Sequence, residues 1–286
     1  MMIPEAVQDW LEENGYGGVA STRPASGGCI HQGVHVTTRK GDCFFLKVNP
    51  SAPPEMFACE VEGLQVLGLV PNGPRVPQVF LCGEGYLLLE DLRSSQNLRA
   101  DFWASLGRVL ACLHQFTAPK FGFVRDNFIG YTPQPNPWTE DGYHFFAEYR
   151  LGFQARLAHQ RGLIAAEEMR TIERIARRLP ELIPPQPASL IHGDLWRGNV
   201  IADSSGGPAL IDPAAHYGWA EAELAMMALF GGFHPNCYAA YAELRPYPPG
   251  LEERIPIYNL YHLLNHTNMF GAGYLTQVRT ILKRFS

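Results

Sequence analysis

The feature that most constrains this chain is a polar loop set between two apolar runs. The loop reads Leu190-Ile191-His192-Gly193-Asp194-Leu195-Trp196-Arg197-Gly198-Asn199-Val200. Asp212 follows Asn199 by thirteen residues and comes directly after the apolar run Ala209-Leu210-Ile211. An aspartate, an asparagine five positions later and a second aspartate behind a β-hairpin are the layout of a kinase catalytic loop with its metal-binding aspartate.

The residue types in this loop suit phosphoryl transfer. A carboxylate such as Asp194 accepts a hydrogen bond from an attacking hydroxyl and orients it, which makes Asp194 the candidate catalytic base. The amide oxygen of Asn199 and the carboxylate of Asp212 are hard ligands of the kind that hold Mg²⁺ against phosphates. The alternative is that Asp194 and Asn199 merely cap turns, as these residue types often do. The spacing and the flanking strand-like runs favour the catalytic interpretation.

A lysine inside an apolar strand marks the candidate ATP site. Lys47 lies in the run Phe44-Phe45-Leu46-Lys47-Val48, and a buried lysine needs a partner. Glu60, on the helical segment that follows, is the candidate partner, and Glu55 and Glu62 are its rivals. The alternative is a lysine at the edge of a strand that reaches solvent.

A glycine turn precedes the first of these strands. Residues 26–30 read Ser-Gly-Gly-Cys-Ile, and such a turn lets backbone N–H groups approach phosphates, so Gly27, Gly28 and Cys29 are assigned to the ATP site. Backbone amides also favour the thiolate of Cys29. Redox control of ATP binding, or a Cys29-linked dimer, is the hypothesis that follows. The alternative is a monomer with a small residue in a tight turn.

Hydrophobic patterning divides the chain into two lobes. Helical spacing at 5–13 and 55–68 accompanies strand-like runs at 33–38, 42–48, 78–82 and 86–90, and beyond them helical patterns recur at 101–117, 143–160, 164–181, 219–231, 251–266 and 274–285. We predict a bilobal α+β fold. Residues 1–91 form a small β-rich nucleotide-binding lobe with one main helix, and residues 92–286 form a larger, mostly helical catalytic and acceptor-binding lobe. Glu90, Asp91 and Leu92 lie at the join, where a hinge offers backbone groups to adenine.

Composition excludes several classes of protein. A net charge of −5 and a pI near 6.1 argue against a nucleic-acid partner. No apolar run approaches the ~18–20 residues that cross a bilayer, and no signal peptide is visible at the start, so we expect a cytoplasmic protein without a membrane partner. The six cysteines are spread singly and form no CxxC pair, and most are expected to be small buried apolar residues.

Sequence motifs that the chain lacks restrict the class of phosphoryl acceptor and of kinase. Asp212 is followed by Pro-Ala rather than Phe-Gly, and no Ala-Pro-Glu or long activation segment precedes the next helical pattern. The chain therefore lacks the peptide platform of protein kinases, and the acceptor is expected to be a small molecule or a single modified side chain. The sequence also contains no G-x-x-x-x-G-K-[ST] motif, which disfavours a P-loop kinase.

With these residues in place, the sequence resembles the fructosamine kinase (ketosamine-3-kinase) family, relatives of aminoglycoside and choline kinases with a protein-kinase-like fold. The likeness covers nearly the whole chain and includes the catalytic loop. Before that loop it includes Gly27-Gly28-Cys29-Ile30, Phe45-Leu46-Lys47-Val48-Asn49, Met56-Phe57 with Glu60, Asp126-Asn127-Phe128-Ile129-Gly130, Thr132-Pro133-Gln134-Pro135-Asn136, and Phe145-Phe146 with Arg150-Leu151. After the loop it includes Tyr217-Gly218, Glu223-Leu224-Ala225, Leu229 to Phe233, Leu260-Tyr261, Leu263-Leu264, and Asn268 with Phe270-Gly271. The middle and C-terminal segments distinguish this family from aminoglycoside kinases.

The resemblance implies ATP-dependent phosphorylation of the 3-hydroxyl of a ketosamine, a sugar joined to an amine by glycation. The unstable 3-phosphate then releases the amine, so the implied role is deglycation of small molecules or proteins. Carried over by position, Lys47 and Glu60 are the phosphate-anchoring pair, Asp194 is the base, and Asn199 and Asp212 hold Mg²⁺.

The sequence departs from the family pattern at three positions. His31 stands where Asn is expected after the glycine turn, Arg197 where Ser is usual, and Trp219 where His is frequent. These changes remove no catalytic group, but Arg197 bears on the choice of acceptor.

The residues that bind the acceptor are harder to identify from the sequence. Trp196 and Trp219, with Trp138 and Phe233, would form an aromatic wall for a sugar ring, and His216 is a further candidate contact; the alternative is that the aromatic side chains belong to the core. Glu223 is expected to brace the catalytic loop by hydrogen bonds, as is His192. An aminoglycoside, choline or other sugar kinase, or a catalytically silent nucleotide-binding protein, remains the alternative function.

Overall fold

A computed structural model describes residues 3–25, 31–92 and 97–285 of the chain. Its first part is a five-stranded antiparallel sheet with the strand order β1-β2-β3-β5-β4. The strands are β1 Val19–Pro24, β2 Gln32–Thr38, β3 Cys43–Val48, β4 Val79–Gly83 and β5 Tyr86–Glu90, and the helices are α1 Glu5–Glu13 and α2 Met56–Gly68.

Strand alternation decides what each face of this sheet contacts. Phe44, Leu46 and Val48 of β3 belong to a core cluster that also contains Val7 and Leu11 of α1. Because side chains alternate between faces along a strand, Phe45 and Lys47 lie on the opposite face. There Phe45 packs against a second cluster that includes Phe57 and Leu64 of α2. The same period that buries β3 therefore directs Lys47 toward α2.

The rest of the chain is mainly helical. Its helices are α3 Phe102–Gln115, α4 Gly142–Phe146, α5 Phe153–Gln160, α6 Ala166–Arg177, α7 Leu179–Leu182, α8 Ala220–Leu229, α9 Pro235–Leu244, α10 Leu251–Phe270 and α11 Leu275–Phe285. Its short strands are β6 Thr117–Ala118, β7 Asn127–Ile129, β8 Thr132–Gln134, β9 Ala188–Ile191, β10 Val200–Ala202, β11 Pro208–Leu210 and β12 His216–Gly218. The predicted α+β architecture, a β-rich first lobe and a helical second lobe, is confirmed.

The short strands hold the predicted catalytic loop in place. β9 pairs with β6 and β12, while β10 and β11 form an antiparallel hairpin. The loop between β9 and β10 contains Asp194, and Asp212 follows β11 directly. α8 is buried on nearly all sides, and its residues are apolar apart from Glu221 and Glu223. The hairpin and α8 thus fix both ends of the segment that carries the polar residues.

Several elements differ from the sequence-based expectation. The helix predicted over 143–160 is interrupted by a π-helical turn at Ala147–Gly152, and the one over 164–181 divides into α6 and α7. β1 was not predicted because five of its six residues are exposed and it lacks apolar alternation. α9 was also missed; it begins at Pro235, a residue that is favoured in the first helical turn but that also marks loops.

The cysteine expectation is wrong for the described cysteines. Cys59 and Cys237 are buried, but Cys43 and Cys112 are half-buried and Cys82 is exposed, and all five are free thiols. Among the described residues, no helix combines the length and the apolar character that crossing a membrane requires.

Candidate active site

Lys47 forms the centre of a buried charge cluster. Its Nζ lies 2.5 Å from Glu60 Oε1 and 2.5 Å from Asp212 Oδ1. The Lys47 side chain is 7% exposed and that of Glu60 10%, whereas the Asp212 side chain is 40% exposed. One cation therefore connects α2 of the first lobe to the aspartate behind β11, and the Asp212 carboxylate keeps an open side. The contact predicted between Lys47 and Glu60 is confirmed.

The electrostatics of the cluster favour a charged lysine. Burial alone lowers the pKa of Lys47, but the carboxylates of Asp212 and Glu60 outweigh it and raise the pKa above its usual value. Burial opposes ionisation of Asp212, yet Lys47 lowers the net pKa of that carboxyl. Burial raises the pKa of Glu60. The pair of Lys47 and Asp212 is thus a stable ion pair in which the aspartate stays ionised.

The two rivals of Glu60 contact a different cation. Glu55 and Glu62 both form ion pairs with Arg125, which lies before β7. Sequence patterns did not reveal Arg125, because its two partners lie about sixty and seventy residues away along the chain. α2 and the residue that caps its start therefore present one carboxylate to the candidate ATP site and two to the second lobe.

The catalytic loop is held by hydrogen bonds to buried groups. Glu223 of α8 accepts hydrogen bonds from the backbone N–H groups of His192, at 2.5 and 2.9 Å, and of Gly193, at 3.2 Å. His192 Nδ1 accepts from the Asp194 N–H at 3.3 Å, so Nε2 carries the proton that it donates to the Ile211 carbonyl at 2.9 Å. The bracing roles predicted for Glu223 and His192 are confirmed. They connect Asp194 to the segment that ends in Asp212.

Asn199 is oriented by the loop. Its Nδ2 donates to the Asp194 carbonyl at 2.8 Å and lies 3.3 Å from Asp194 Oδ2. Because both contacts use the amide nitrogen, Oδ1 is the atom left to act as a ligand. A left-handed backbone at Asp212, with φ of 58°, is costly for a residue other than glycine and recurs at functional sites. An amide oxygen and an ionised, part-exposed carboxylate fit a Mg²⁺ ion, which takes oxygen ligands and shares them with phosphates and water.

Burial raises the pKa of Asp194 to about 7, and the neighbouring charge of Asp212 adds to the rise. An acid whose pKa is higher in the folded chain than in the unfolded chain binds more protons when folded. Its contribution to stability therefore falls as the pH rises from about 4 to about 7 and is least favourable above that range. The isolated protein thus carries its candidate base at a cost in stability at neutral and alkaline pH.

We expect Asp194→Asn to stabilise the ligand-free protein at pH 8, by up to about 4 kcal/mol in the free energy of unfolding. The gain should shrink as the pH falls toward 4, because folded Asp194 is then protonated and the same carboxyl in the unfolded chain, with a pKa of about 3.9, begins to take up its proton as well. Urea unfolding at pH 4.5 and pH 8 measures the difference. Asp203→Asn is the control, because hydrogen bonds from Ser205 and Gly207 outweigh burial and lower the pKa of that carboxyl, so its loss should destabilise the protein. Equal or lower stability of Asp194→Asn at pH 8 would contradict the burial argument.

The predicted hinge residues lie at the end of β5. The Glu90 side chain pairs with Arg75 and accepts from the Gln78 N–H, and the Asp91 carboxylate lies 2.9 Å from His35 Nδ1. Leu92 is buried. These side chains are engaged within the protein, and adenine binding by the backbone of these residues stays a prediction. Gly27, Gly28 and Cys29 lie outside the described residues.

The candidate acceptor residues are not brought together on one wall. Trp196 is 40% exposed beside the catalytic loop. Trp219 and His216 are each 4% exposed and line an internal cavity behind Gly193, with room for about one water molecule. Trp219 packs edge-on against Phe121 and Tyr143. The structure therefore places Trp219 in the aromatic core and buries Phe233, whereas Trp196 and Trp138, the latter 48% exposed, lie on the surface.

Sequence reasoning did not assign two further residues of this region. Arg150 is 1% exposed and lines the same cavity. It donates to the Pro135 carbonyl at 2.8 Å and to Asn136 Oδ1 at 2.6 Å. The His31 ring lies tilted against Phe57, with the ring centroids 4.7 Å apart. Burial together with the charge of Lys47 lowers the pKa of His31 to about 4, so it is neutral next to the charge cluster. An isolated arginine or histidine in sequence carries no signal of such burial.

Comparison with known proteins agrees with this geometry. The fructosamine kinase family model matches residues 2–286. A ketoamine kinase candidate of Synechocystis is 40% identical over 93% of this chain and 90% of its own, and the chloroplastic protein-ribulosamine 3-kinase of Arabidopsis thaliana is 36% identical over 98% of this chain and 87% of its own. The crystal structure of a fructosamine-3-kinase candidate from Thermobifida fusca superposes with a TM-score of 0.88 at 32% identity, covering 99% of this chain and 98% of that one. The choline kinase of Streptococcus pneumoniae, at 15% identity with a TM-score of 0.62 over 98% of this chain and 97% of its own, shares the fold. The predicted kinase-like fold is thereby confirmed.

Proposed function

The chain belongs to the fructosamine kinase family, and we propose that it transfers the γ-phosphoryl group of ATP to the 3-hydroxyl of a ketosamine. The observation that carries the proposal is the connected set of Lys47, Asp212 and the braced loop of Asp194 and Asn199. Phosphoryl transfer depends mainly on positioning and on charge neutralisation. This set supplies a buried cation on β3 together with an ionised carboxylate and a candidate base on the segment from β9 to Asp212.

Each residue has a separate role in this proposal. Lys47, held by Glu60, contacts the phosphates of ATP, and the backbone of Glu90, Asp91 and Leu92 contacts adenine. Gly27, Gly28 and Cys29 offer backbone N–H groups to the phosphates. Asn199 and Asp212 hold Mg²⁺, which when bound neutralises charge on the phosphates. Asp194 accepts the hydrogen bond of the acceptor hydroxyl and orients its oxygen toward the phosphorus.

A pKa near 7 suits Asp194 to this role. A general base works best when its pKa is close to the operating pH, because it is then both ionised and basic enough to accept a proton. Asp194 is half-buried rather than sealed, so an acceptor can reach it from the side of the exposed Trp196. Trp196 is the proposed contact for the sugar, whereas His216 and Trp219 are buried and have no direct role in this proposal.

The proposed acceptors are ketosamines on small amines or on protein lysines, and loss of the amine from the 3-phosphate makes the reaction a deglycation. A relative that is 36% identical is named a protein-ribulosamine 3-kinase, so ribulosamines are the first acceptors to test and fructosamines the second. The remaining assignments, a lobe boundary at residues 91–92, a cytoplasmic location, and a monomer or a Cys29-linked dimer, stay predictions.

We expect Mg²⁺-dependent ATP consumption with ribulosyl-lysine or fructosyl-lysine and none with an aminoglycoside or choline. A coupled ADP assay measures turnover, and phosphorus NMR of the product identifies the hydroxyl that is modified. The Asp194→Asn protein is the control for contaminating kinases. Turnover on an aminoglycoside or choline alone would overturn the acceptor class and keep the mechanism. ADP binding without turnover on any acceptor would favour a nucleotide-binding protein that is catalytically silent.

A further inference from the structure

We propose that Arg125 is a positioning residue for the nucleotide site: it holds α2 against the second lobe and so keeps Glu60 on Lys47. The inference rests on the proposed function, because it assigns Arg125 a role in the binding of ATP. Arg125 precedes β7 and is 38% exposed. It does not touch Lys47, Asp194 or Asp212, so it acts through α2.

Arg125 pairs with both carboxylates that α2 presents to the second lobe. Its Nη2 lies 2.7 Å from Glu62 Oε1, and its Nη1 lies 3.3 Å from Glu55 Oε2. Glu62 is the better buried partner, with 27% of its side chain exposed against 71% for Glu55. Glu60 lies between these two residues in sequence and points to Lys47. One guanidinium thus fixes the start and the second turn of the helix that carries Glu60.

The segment that carries Arg125 is itself anchored. The neighbouring Asp126 accepts a hydrogen bond from the Asn136 N–H at 2.7 Å, and Asn136 Nδ2 donates to the Arg125 carbonyl at 3.3 Å. Asn136 in turn accepts from the buried Arg150 at 2.6 Å. The Cys59 thiol of α2 lies 3.6 Å from the Asp126 carbonyl. Arg125 therefore acts from a rigid base rather than from a loose loop.

Another face of α2 rests on the segment that follows Asp212. A Cβ on Gly63 would lie 3.0 Å from Pro213 Cγ and 3.5 Å from Ala215 Cβ, so the helix packs closely against this segment. Glu55, at the start of α2, has a left-handed backbone with φ of 65°, a conformation that costs energy in a residue with a side chain. The ion pair with Arg125 is therefore made by the same residue, Glu55, whose backbone carries this energetic cost. These contacts determine the position of α2, and in that position Glu60 pairs with Lys47.

This arrangement explains how the lysine–glutamate pair is kept in a kinase with only a short segment between the metal-binding aspartate and the next helix. In protein kinases the equivalent helix is positioned by the activation segment. Here only residues 213–219 separate Asp212 from α8, and the ion pairs of Arg125 take over the positioning. The lysine–glutamate pair is thus assembled without a regulatory signal.

The test compares Arg125→Gln, Glu62→Gln and the double variant. We expect each single variant to weaken the binding of Mg²⁺-ADP and to raise the KM for ATP about fivefold, with the KM for the ketosamine unchanged. The double variant should be no worse than Arg125→Gln, because Glu62 has already lost its cation in that variant. Arg156→Gln is the matched control: Arg156 forms a comparable pair with Glu148 at 3.3 Å, both about half exposed, but lies on α5. It should bind Mg²⁺-ADP as the unmodified protein does.

Calorimetric titration with Mg²⁺-ADP separates the possible failures. Binding by the unmodified protein and equally by Arg125→Gln would overturn the positioning role and leave the proposed function standing. A lower melting temperature with unchanged nucleotide affinity would show a merely structural role and also overturn it. Absence of nucleotide binding in the unmodified protein would overturn both proposals. If Arg125→Gln does not fold, Glu62→Gln and the charge exchange Arg125→Glu with Glu62→Arg carry the test, and restored affinity in the exchange supports the inference.

Discussion

Replacing Asp194 by asparagine is expected to lower kcat by roughly 10²–10⁴ while the nucleotide still binds. The substitution keeps the size of the side chain and removes the group that accepts a proton. Asn199 and Asp212, the proposed Mg²⁺ ligands, remain, and Lys47 still pairs with Asp212. Steady-state kinetics with a ketosamine acceptor and a separate titration with Mg²⁺-ADP measure the two effects. The same variant should be more stable than the unmodified protein at pH 8, so a loss of kcat cannot be ascribed to unfolding.

Near-normal turnover of Asp194→Asn would refute Asp194 as the base. A loss of Mg²⁺-ADP binding as large as the loss of kcat would instead assign Asp194 to the nucleotide or metal site. Asp203→Asn, which changes a carboxylate in the turn between β10 and β11, should leave kcat unchanged, since its hydrogen bonds stay within that turn.

Replacing Lys47 by methionine is expected to lower kcat/KM for ATP by about 10²–10³, the usual cost of removing one preorganised charge from a site of this kind. Methionine fills much of the same volume but leaves Glu60 and Asp212 without their common cation. The variant should also lose about 3 kcal/mol in the free energy of unfolding, because an unpaired carboxylate remains buried. Part of this loss should be recovered on acidification, since Glu60 can then take up a proton.

Kinetics and urea unfolding at pH 5.5 and pH 8 test both statements. Lys120→Met is the control, because Lys120 lies 3.3 Å from Glu140 with both side chains largely exposed, and such pairs contribute little to stability. The double variant Lys47→Met with Glu60→Gln should regain stability but not activity. Normal use of ATP by Lys47→Met would remove Lys47 from the nucleotide site.

Much of the fold followed from periodicity, and its failures have local causes. α1, α2 and α3 and the strands β2 to β5 lie close to their expected positions, because each has an apolar stripe of the right period. β1 lacks such a stripe and was missed. The π-helical turn at Ala147–Gly152 leaves the apolar pattern nearly intact while changing the hydrogen bonds, so periodicity alone could not reveal it.

Some features of the candidate site could likewise be predicted from the sequence, and others could not. The positions of Asp194, Asn199 and Asp212 could be read from spacing, because one loop and one hairpin determine how these three residues meet. The partner of Lys47 was chosen among Glu55, Glu60 and Glu62, and only the tertiary structure shows that Arg125 engages the other two. The acceptor side was the least predictable, because an aromatic residue in a sequence looks the same whether it packs in the core, as Trp219 does, or faces solvent, as Trp196 does.

The sequence by itself determined the kind of chemistry and the two-lobed architecture, since residue types, short spacings and hydrophobic periods are local properties that can be read directly from the order of the residues. Only the tertiary structure decided which charges meet. Lys47 and Asp212 are separated by 165 positions and lie 2.5 Å apart, and burial, which raises the pKa of Asp194 to about 7, depends on every element packed around it. A pattern can place a carboxylate in a loop, but the packing of the whole chain sets its pKa and its partner.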